Sequence, residues 1–206
     1  MQGVVPAIVI GRLPIYLRAL ALLESEGKEV TSSQELGMRL GISSAQIRKD
    51  LSHFGEFGKQ GTGYKISFLQ ERLKEILNLN QNWSVALVGF GDLGNAIVHY
   101  AGFPAKGFFI KAVFDIAPHK VGQTINGHNL IIKHPDDMAE VIQQEEIKIA
   151  ILAVPIKAAQ SVSEALVKAG IKAILNYAPI NLFLPPDIQV QNIDPVVYLQ
   201  QMTYYL

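Results

Sequence analysis

The sequence contains no cysteine, and this absence excludes several kinds of site. Disulfide-stapled folds, iron–sulfur clusters, Cys-ligated zinc and thiol catalysis all require that residue. Long apolar runs are also missing, because none approaches the roughly 20 residues that span a bilayer. The short apolar stretch near the N-terminus lacks the basic region that precedes it in a signal peptide. We therefore expect a cytoplasmic protein with no membrane association and no metal site.

The chain has no excess of charge of either sign, with 18 basic and 18 acidic residues among 206. A uniformly basic binder of polyanions is therefore excluded, although a local basic patch is not. Arginine is absent from residues 81–206, since all five arginines lie in the first part of the chain. Its planar guanidinium recognises phosphates and guanine edges in a two-point geometry that lysine cannot match. In a chain long enough for two small domains, this segregation predicts two domains with different partners.

Residues 12–79 are predicted to form short helices, because leucines recur at helical spacing between serine caps and glycine stops. The second helix begins after residues 31–33 and ends at Gly41. The third follows the serines at 43–44 and runs over residues 45–54. A helix, a tight turn and a second helix form the layout of a helix-turn-helix unit.

The third helix has a polar outer face that suits DNA reading. Ile47, Leu51 and Phe54 share its apolar face and should pack inward. Arginine or lysine can read guanine, glutamine can read adenine, and serine can hold phosphates. The residues expected to face DNA are Ser44, Gln46, Arg48, Lys49 and Ser52. An ordinary amphipathic surface helix with solvated charges is an equally good interpretation of this pattern.

Four glycines between residues 55 and 64 suit tight turns and predict a β-hairpin that would form a wing. Lys59 at the tip of this hairpin could reach the minor groove or the flanking phosphates. A further amphipathic helix is expected over residues 66–79, and residues 78–82 look like a linker.

The pattern changes at Trp83, where short apolar strands begin to alternate with helices. Strands are expected at residues 84–88, 109–114, 129–132, 147–154 and 173–175. Helices are expected from the glycine-rich turn to about Tyr100 and at residues 135–144, 158–168 and 195–206. Such alternation predicts βαβ units around a parallel sheet, so the expected fold class is α/β.

The sequence Gly-Phe-Gly-Asp-Leu-Gly at residues 89–94 follows one predicted strand and begins a predicted helix. Gly89 would make the turn, Gly91 would let a pyrophosphate approach the backbone, and Gly94 would let the helix pack on the sheet. Asp115, 21 positions beyond Gly94, can accept hydrogen bonds from ribose hydroxyls and would repel a 2′-phosphate. The motif predicts NAD(H) binding at a helix amino end. A glycine-rich turn without any ligand is the alternative.

Residues for chemistry on such a ligand are missing. No tyrosine is followed four positions later by lysine, and the five histidines are scattered. No motif brings a nucleophile and a base together. The sequence therefore indicates a nucleotide-binding domain without catalytic residues. A small NAD-dependent oxidoreductase and a CoA-binding module stay open as alternatives, which turnover assays and ligand titration would separate.

Residues 47–59 closely resemble the winged-helix reader of the Rex family of redox-sensing transcriptional repressors. The resemblance continues in family order through residues 12–18, 88–94, 114–115, 153–155, 174–179 and 192–194. It implies a homodimer that binds double-stranded operator DNA, senses the NADH/NAD+ ratio with both nucleotides as regulatory ligands, and is released when NADH binds. The expected domains are an N-terminal winged helix at residues 1–80, a Rossmann-like NAD(H)-binding domain at 81–194 and a swapped C-terminal helix at 195–206.

Together, the motif and the resemblance assign roles to individual residues. The nucleotide is expected to contact Gly89, Phe90, Gly91, Asp92, Leu93, Gly94, Asp115, Ile116, Lys120, Ala153, Val154, Pro155, Asn176, Ala178 and Pro179. DNA is expected to contact Lys59 and Gln60 of the wing in addition to the helix residues named above. The resemblance also implies a ligand-sensitive contact between domains and subunits, made by Arg18, Tyr100 and Asp194. Pro195 departs from the family, which usually has Phe or Leu there to reach the partner's pocket.

Overall fold

The computed structural model describes residues 5–57 and 63–206, which fall into two compact units. The first unit ends at Gln81 and the second begins at Asn82. The helices are α1 Ala7–Ser25, α2 Ser33–Leu40, α3 Ser44–Ser52, α4 Ile66–Ile76, α5 Asp92–Val98, α6 Met138–Gln144, α7 Ile156–Ala169 and α8 Pro195–Thr203. The strands are β1 Val30–Thr31, β2 Tyr64–Lys65, β3 Trp83–Val88, β4 Phe108–Phe114, β5 Ile132–Lys133, β6 Ile149–Leu152, β7 Ala173–Asn176 and β8 Gln189–Asn192. Of the helices within the described ranges, none combines the length and apolar character that crossing a bilayer demands.

Helices α1 to α4 of the first unit enclose a core of aliphatic side chains. Leu13, Leu20 and Leu23 recur at helical spacing along α1 and are fully buried. Leu36 of α2 and Ile47 of α3 join the same core. Burying each such side chain contributes about 1.5–3 kcal/mol. The leucine spacing that predicts these helices is therefore also what holds them together.

Side-chain caps set the ends of the two helices around the predicted turn. The Ser32 hydroxyl accepts the Glu35 N–H at 3.1 Å, and the Ser43 hydroxyl accepts the Gln46 N–H at 3.2 Å. Gly41 ends α2 in the left-handed backbone region, with φ 65°. Each contact satisfies a group that the helix end would otherwise leave unpaired. The caps and the stop lie where the sequence predicts them.

The turn between α2 and α3 also depends on Gly37, which spacing arguments do not single out. Gly37 is buried inside α2, and a Cβ atom there would lie 2.4 Å from the Ile42 carbonyl oxygen. Any side chain would push the backbone after α2 away from the helix. The tight turn into α3 therefore requires glycine at a position that looks like an ordinary helix interior.

Residues 58–62 of the hairpin predicted at residues 55–64 lie outside the described residues, and only its two described ends differ from the prediction. Residues 55–57 form no strand, and Tyr64–Lys65 pairs antiparallel with Val30–Thr31, which precede α2. A strand of two residues, such as Val30–Thr31, is too short to show the alternation of apolar and polar residues that identifies a strand, so the sequence does not predict it. Lys59 and Gln60 lie outside the described residues, and their DNA contacts stay predictions.

The second unit is built on a six-stranded parallel sheet with the strand order β5-β4-β3-β6-β7-β8. The chain starts at β3 in the middle, builds outward through β4 and β5, and returns to β6 on the other side of β3. The strand order reverses between β3 and β6, which is where ligands bind in open sheets of this kind. The predicted α/β class and Rossmann-like sheet are confirmed.

Two strands near the sheet edges differ from the prediction. The strand expected at residues 129–132 lies at Ile132–Lys133, because the preceding segment forms turns closed by a bridge between Thr124 and Ile131. Strand β8, Gln189–Asn192, is not predicted at all. Its glutamines and asparagine are largely exposed at the edge of the sheet, so the apolar pattern typical of a buried parallel strand is absent.

Two positions after helix α6, Glu146 has a backbone conformation that favours glycine. Glu146 has φ 50°, whereas Glu145 before it has φ −89°. Left-handed backbone destabilises the folded state by about 1–2 kcal/mol when the residue has a Cβ atom. Glycine avoids this strain, but its greater conformational entropy in the unfolded chain offsets part of the gain. We expect Glu146→Gly to stabilise the second unit by about 0.5–1 kcal/mol.

Urea unfolding followed by fluorescence checks this expectation, because Trp83 of β3 is the only tryptophan in the chain. Glu145→Gly is the matched control and should bring no gain, since its backbone already suits any residue. A Glu146→Gly variant that is less stable than the wild type would contradict the expectation.

Candidate nucleotide and DNA sites

The turn after β3 packs so closely that two of its glycines admit no side chain. Gly89 has φ 95°, and a Cβ atom on it would lie 2.3 Å from the Ala153 carbonyl oxygen. A Cβ atom on Gly94 would lie 2.1 Å from the Gly89 carbonyl oxygen. These glycines therefore let the start of α5 lie on the turn and let the turn lie beside the residues after β6. Structure alone explains both of them.

Gly91 is different, because the fold does not require glycine there. Its φ of −83° suits any residue, and a Cβ atom on it would meet nothing within 4 Å. Its N–H lies at the beginning of α5, whose first backbone N–H groups have no partner within the helix. The open space beside this backbone is what a phosphate needs to approach it. The packing of the turn therefore does not by itself account for glycine at this position.

The Asp115 carboxylate follows β4 and is bonded to the glycine-rich turn. Oδ2 accepts the Phe90 N–H at 2.7 Å, and Oδ1 accepts the Ala117 N–H at 2.8 Å. Lys120 Nζ lies 3.4 Å from Oδ2 and donates to the Phe90 carbonyl oxygen at 2.8 Å. Burial opposes the charged form, but the two N–H groups and Lys120 outweigh it and lower the pKa of Asp115. The carboxylate is therefore ionised near neutral pH, and it holds the turn in place.

The ends of β6 and β7 bring further predicted nucleotide contacts to the same edge of the sheet. The Ala153 N–H donates to the Val88 carbonyl oxygen at 2.8 Å, so the residues after β6 run alongside the glycine-rich turn. Pro155 and Pro179 are exposed at this edge, whereas Ala178 is buried. Ile116, beside Asp115, has 74% of its surface exposed and offers an apolar face to a planar ring.

Asn176 supports this edge instead of offering a free amide. Its side chain is buried, and Nδ2 donates to the carbonyl oxygens of Ala178 and Ile180 at 3.0 and 2.9 Å. Its Oδ1 accepts the Ala178 N–H at 3.0 Å, and Nδ2 also lies 2.9 Å from Asn192 Oδ1. Asn176 thus shapes the loop that carries Ala178 and Pro179. The contact between Asn176 and the nucleotide that the resemblance implies stays a prediction.

Helix α3 exposes most of the residues predicted to face DNA. Arg48, Lys49 and Ser52 are exposed, and Ser44 is half-buried. Arg48 Nη1 donates to the Ser33 hydroxyl at 3.1 Å, and the Ser52 hydroxyl donates to the Lys49 carbonyl oxygen at 2.8 Å. These contacts lie on the protein surface, so the side chains can exchange them for phosphates or base edges.

The buried face of α3 holds a residue that the sequence analysis missed. Asp50 is fully buried, and its carboxylate accepts four hydrogen bonds. Arg12 Nε and Nη2 donate at 2.5 and 2.7 Å, Tyr16 donates from its hydroxyl at 2.5 Å, and Gln46 Nε2 donates at 2.7 Å. Burial opposes the charge, yet Arg12, Tyr16 and Gln46 lower the pKa of Asp50 to about 2. One feature of the sequence does indicate that Asp50 is buried: it lies next to Leu51 and three residues after Ile47, on the apolar side of the helix.

The three residues implied in a ligand-sensitive contact lie in both units. Arg18 is exposed on α1, and Tyr100 has 63% of its surface exposed after α5. The Tyr100 ring packs edge-on against Phe103, with 5.4 Å between ring centroids. Asp194 caps α8 by accepting the Val196 N–H at 3.0 Å. The contact that the resemblance implies among Arg18, Tyr100 and Asp194 stays a prediction.

Helix α8 has no buried residue, although much of it is apolar. Val196, Tyr198, Leu199 and Met202 each expose between 56% and 62% of their surface. Exposed apolar side chains clustered in this way mark an interaction surface. Within the described part of the chain, no three acidic or histidine side chains come together as a possible metal site.

Two families match separate parts of the chain. The family described as "Putative DNA-binding protein N-terminus" matches residues 4–52, and the family described as "CoA binding domain" matches residues 80–180. The first match includes α1, α2 and α3, and the second includes the sheet from β3 to β7.

Solved structures resemble the whole chain. RSP in complex with NAD+ and operator DNA is 37% identical, with a TM-score of 0.91 over 98% of this chain and 92% of that one. RSP in complex with NADH is 35% identical, with a TM-score of 0.88 over 98% of this chain and 94% of that one.

Curated relatives also extend over both units, and they are regulators rather than enzymes. A redox-sensing transcriptional repressor Rex from Chloroflexus aggregans is 50% identical over 98% of this chain and 94% of its own length. The Rex repressor of Syntrophobacter fumaroxidans is 42% identical over 98% of this chain and 96% of its own. An oxidoreductase or an isolated CoA-binding module would not explain the likeness over the first unit. The chain belongs to the Rex family of redox-sensing transcriptional repressors.

Proposed function

We propose that this protein represses transcription by binding operator DNA through its first unit, and that NADH bound to the second unit releases it. The observation that carries the proposal is the open backbone at Gly91, in a chain whose Rex relatives match it over nearly its full length. RSP has been solved both with operator DNA and NAD+ and with NADH. We expect the same nucleotides to bind beside Gly91 in this chain and to regulate its binding to DNA.

The residues around the turn fit a dinucleotide without a 2′-phosphate. The beginning of α5 offers N–H groups to a pyrophosphate across the open side of Gly91. The ionised Asp115 stands where it can accept a ribose hydroxyl, and its charge would repel an additional phosphate. This favours NAD(H) over its phosphorylated form. NADH supplies reducing equivalents in enzymes, but here binding and release are sufficient for the signal.

The release follows from a difference in affinity between two states of the protein. A ligand shifts such an equilibrium only if it binds one state more tightly than the other. If NADH prefers one arrangement of the repressor and DNA another, each weakens the binding of the other by the same factor. The sensor therefore needs no catalytic residue, and we infer that the protein does not turn NADH over.

The proposed repressor is a homodimer in the cytoplasm, where NADH and operator DNA are both at hand. The exposed apolar side chains of α8 are suited to burial against a second subunit, as the family resemblance implies. A two-fold dimer binds a near-palindromic operator whose half-sites are separated by whole turns of the duplex.

A mobility-shift assay on a palindromic operator, with NADH and NAD+ added separately, tests the proposal. We expect NADH to release the DNA and NAD+ to leave it bound. A complex that stays intact at saturating NADH would overturn the proposal. The same protein incubated with NADH and candidate hydride acceptors should show no turnover.

The match to the CoA binding domain family makes coenzyme A the second ligand to test. Its 3′-phosphate and the ionised Asp115 carry the same charge sign, whereas the plain ribose of NADH offers hydroxyl donors. Calorimetric titration with both compounds separates the two. Tight binding of coenzyme A with no binding of NADH would replace the present proposal.

Arg48→Ala is expected to weaken operator binding and to leave NADH affinity unchanged. Arg48 is exposed on α3, and a bidentate arginine–guanine contact contributes about 1–3 kcal/mol of discrimination. Filter binding to operator and to random duplex measures the effect. Arg72→Ala is the matched control, since Arg72 is an exposed arginine on α4 paired with Glu75. Equal losses on operator and random DNA would show that Arg48 holds phosphate without reading a base.

A further inference from the structure

The Asp50 carboxylate has no capacity left for a ligand. An ionised carboxylate offers about four acceptor positions, and Arg12, Tyr16 and Gln46 occupy two on each oxygen. The side chain is also fully buried, although Asp50 lies in the last turn of the helix proposed to read DNA. Asp50 therefore acts on DNA only through another residue. Gln46 is the one partner that belongs to α3 itself.

The orientation of the Gln46 amide follows from this carboxylate. Because an ionised carboxylate only accepts hydrogen bonds, it is Nε2 that faces Asp50, at 2.7 Å. The amide oxygen Oε1 is then turned away from Asp50. Gln46 is half-buried and lies in the first turn of α3, the part of a recognition helix that approaches base edges.

We infer that Asp50 is a positioning residue that fixes the Gln46 amide as a reader of adenine. The inference rests on the proposed function, because it needs α3 to bind DNA. Oε1 is placed to accept from the exocyclic amine of the base, and the second N–H of Nε2 is placed to donate to N7. Adenine presents this amine next to N7 in the major groove, whereas guanine presents an oxygen there.

The partners of Asp50 explain why the orientation is fixed before DNA binds. Arg12 and Tyr16 belong to α1, so the carboxylate is held by the core of the unit and not by surface residues. Arg48 is exposed and donates to the Ser33 hydroxyl on the protein surface, so its side chain can reorient more readily than that of Gln46. A side chain held in its reading orientation loses less conformational freedom on binding and discriminates more sharply.

Selection of binding sequences from random duplexes by the full-length protein tests the inference. Wild type should select adenine at one position of each half-site, and Gln46→Met should lose that preference while keeping the others. Replacing this adenine with purine, which lacks the exocyclic amine, should lower wild-type affinity on the order of ten-fold. The same replacement should leave Gln46→Met unchanged.

Variants of the cluster separate positioning from stability. In Asp50→Asn, the asparagine amide can donate a hydrogen bond to Oε1 of Gln46. The Gln46 amide would then flip so that Oε1 faces residue 50, and the adenine preference should fall toward that of Gln46→Met. Binding to random duplex should keep its salt dependence, because phosphate contacts are untouched. Tyr16→Phe is the control, since it removes one bond to Asp50 but leaves Gln46 held and should keep the preference.

If Asp50→Asn does not fold, hydrogen exchange of the Gln46 amide in the wild type decides the positioning role. One of the two Nε2 protons should be protected and the other not, whereas equal exchange overturns the inference. Full adenine preference in Gln46→Met or in a folded Asp50→Asn also overturns it. A wild type that selects a palindrome and is released by NADH would leave the proposed function standing in those cases. A wild type that selects no sequence overturns both.

Discussion

Gly91→Val is expected to bind operator DNA as the wild type does, but NADH should no longer release it. A Cβ atom at this position meets nothing within 4 Å, and the backbone φ of −83° suits any residue, so the fold should be unchanged. The valine would instead occupy the space that the pyrophosphate needs. Each charge-assisted hydrogen bond to a phosphate contributes about 1.5–3 kcal/mol, so losing two lowers NADH affinity roughly a hundred-fold or more.

Gly94→Val provides the contrast, because its side chain would meet the Gly89 carbonyl oxygen. That variant should lose stability of the second unit, seen as an earlier urea transition of Trp83 fluorescence, whereas Gly91→Val should unfold as the wild type does. The decisive readout is NADH titration of each folded variant on operator DNA. Normal release of Gly91→Val by NADH would show that the dinucleotide does not approach this backbone.

Asp50→Asn is expected to destabilise the first unit by about 2–3 kcal/mol. The wild-type carboxylate is fully buried, and Arg12 and Tyr16 would keep their positions opposite a neutral group that no longer compensates the guanidinium. The helix signal in circular dichroism during urea unfolding should shift to lower urea, while the Trp83 transition of the second unit stays in place. Glu26→Gln is the control, since the Glu26–Arg39 pair is exposed to solvent and contributes little to stability.

The same carboxylate gives a pH dependence of definite sign. The pKa of Asp50 is lowered from 3.8 to about 2 in the folded protein, so its contribution is complete above the unfolded value. That contribution should be lost as the pH falls from about 4 toward 2. The first unit of the wild type should therefore lose stability over this range, and Asp50→Asn should lose less. Parallel pH profiles for the two proteins would contradict the role given to Asp50.

The sequence was sufficient for the parts of the fold that leave a periodic or capping pattern. Leucine spacing predicts α1, serine caps predict the beginnings of α2 and α3, and the glycine-rich turn after an apolar strand predicts the switch point of the sheet. These signals are local, because each depends on residues a few positions apart. The edge strand β8 and the short pair β1–β2 leave no such pattern. Their pairing is decided by neighbours that are distant in the chain.

The candidate sites divide in the same way. Gly89, Gly91, Gly94 and Asp115 follow from motif spacing, and the structure adds that Gly91 alone is free of structural demands. The position of Asp50 on the apolar side of α3 indicates that its side chain is buried, but its partners Arg12 and Tyr16 lie 38 and 34 positions away, so no local pattern could identify them. Local spacing could not reveal the supporting role of Asn176 either, because it depends on how the chain after β7 turns back toward its own amide.

The most direct test of the account is the affinity for NADH of the free protein and of the protein saturated with operator DNA. The fluorescence of NADH itself reports its binding in both cases. Reciprocal coupling requires that DNA weaken NADH binding by the same factor by which NADH weakens DNA binding. The two factors, measured independently, should therefore match. Equal NADH affinity in the presence and absence of operator would contradict it.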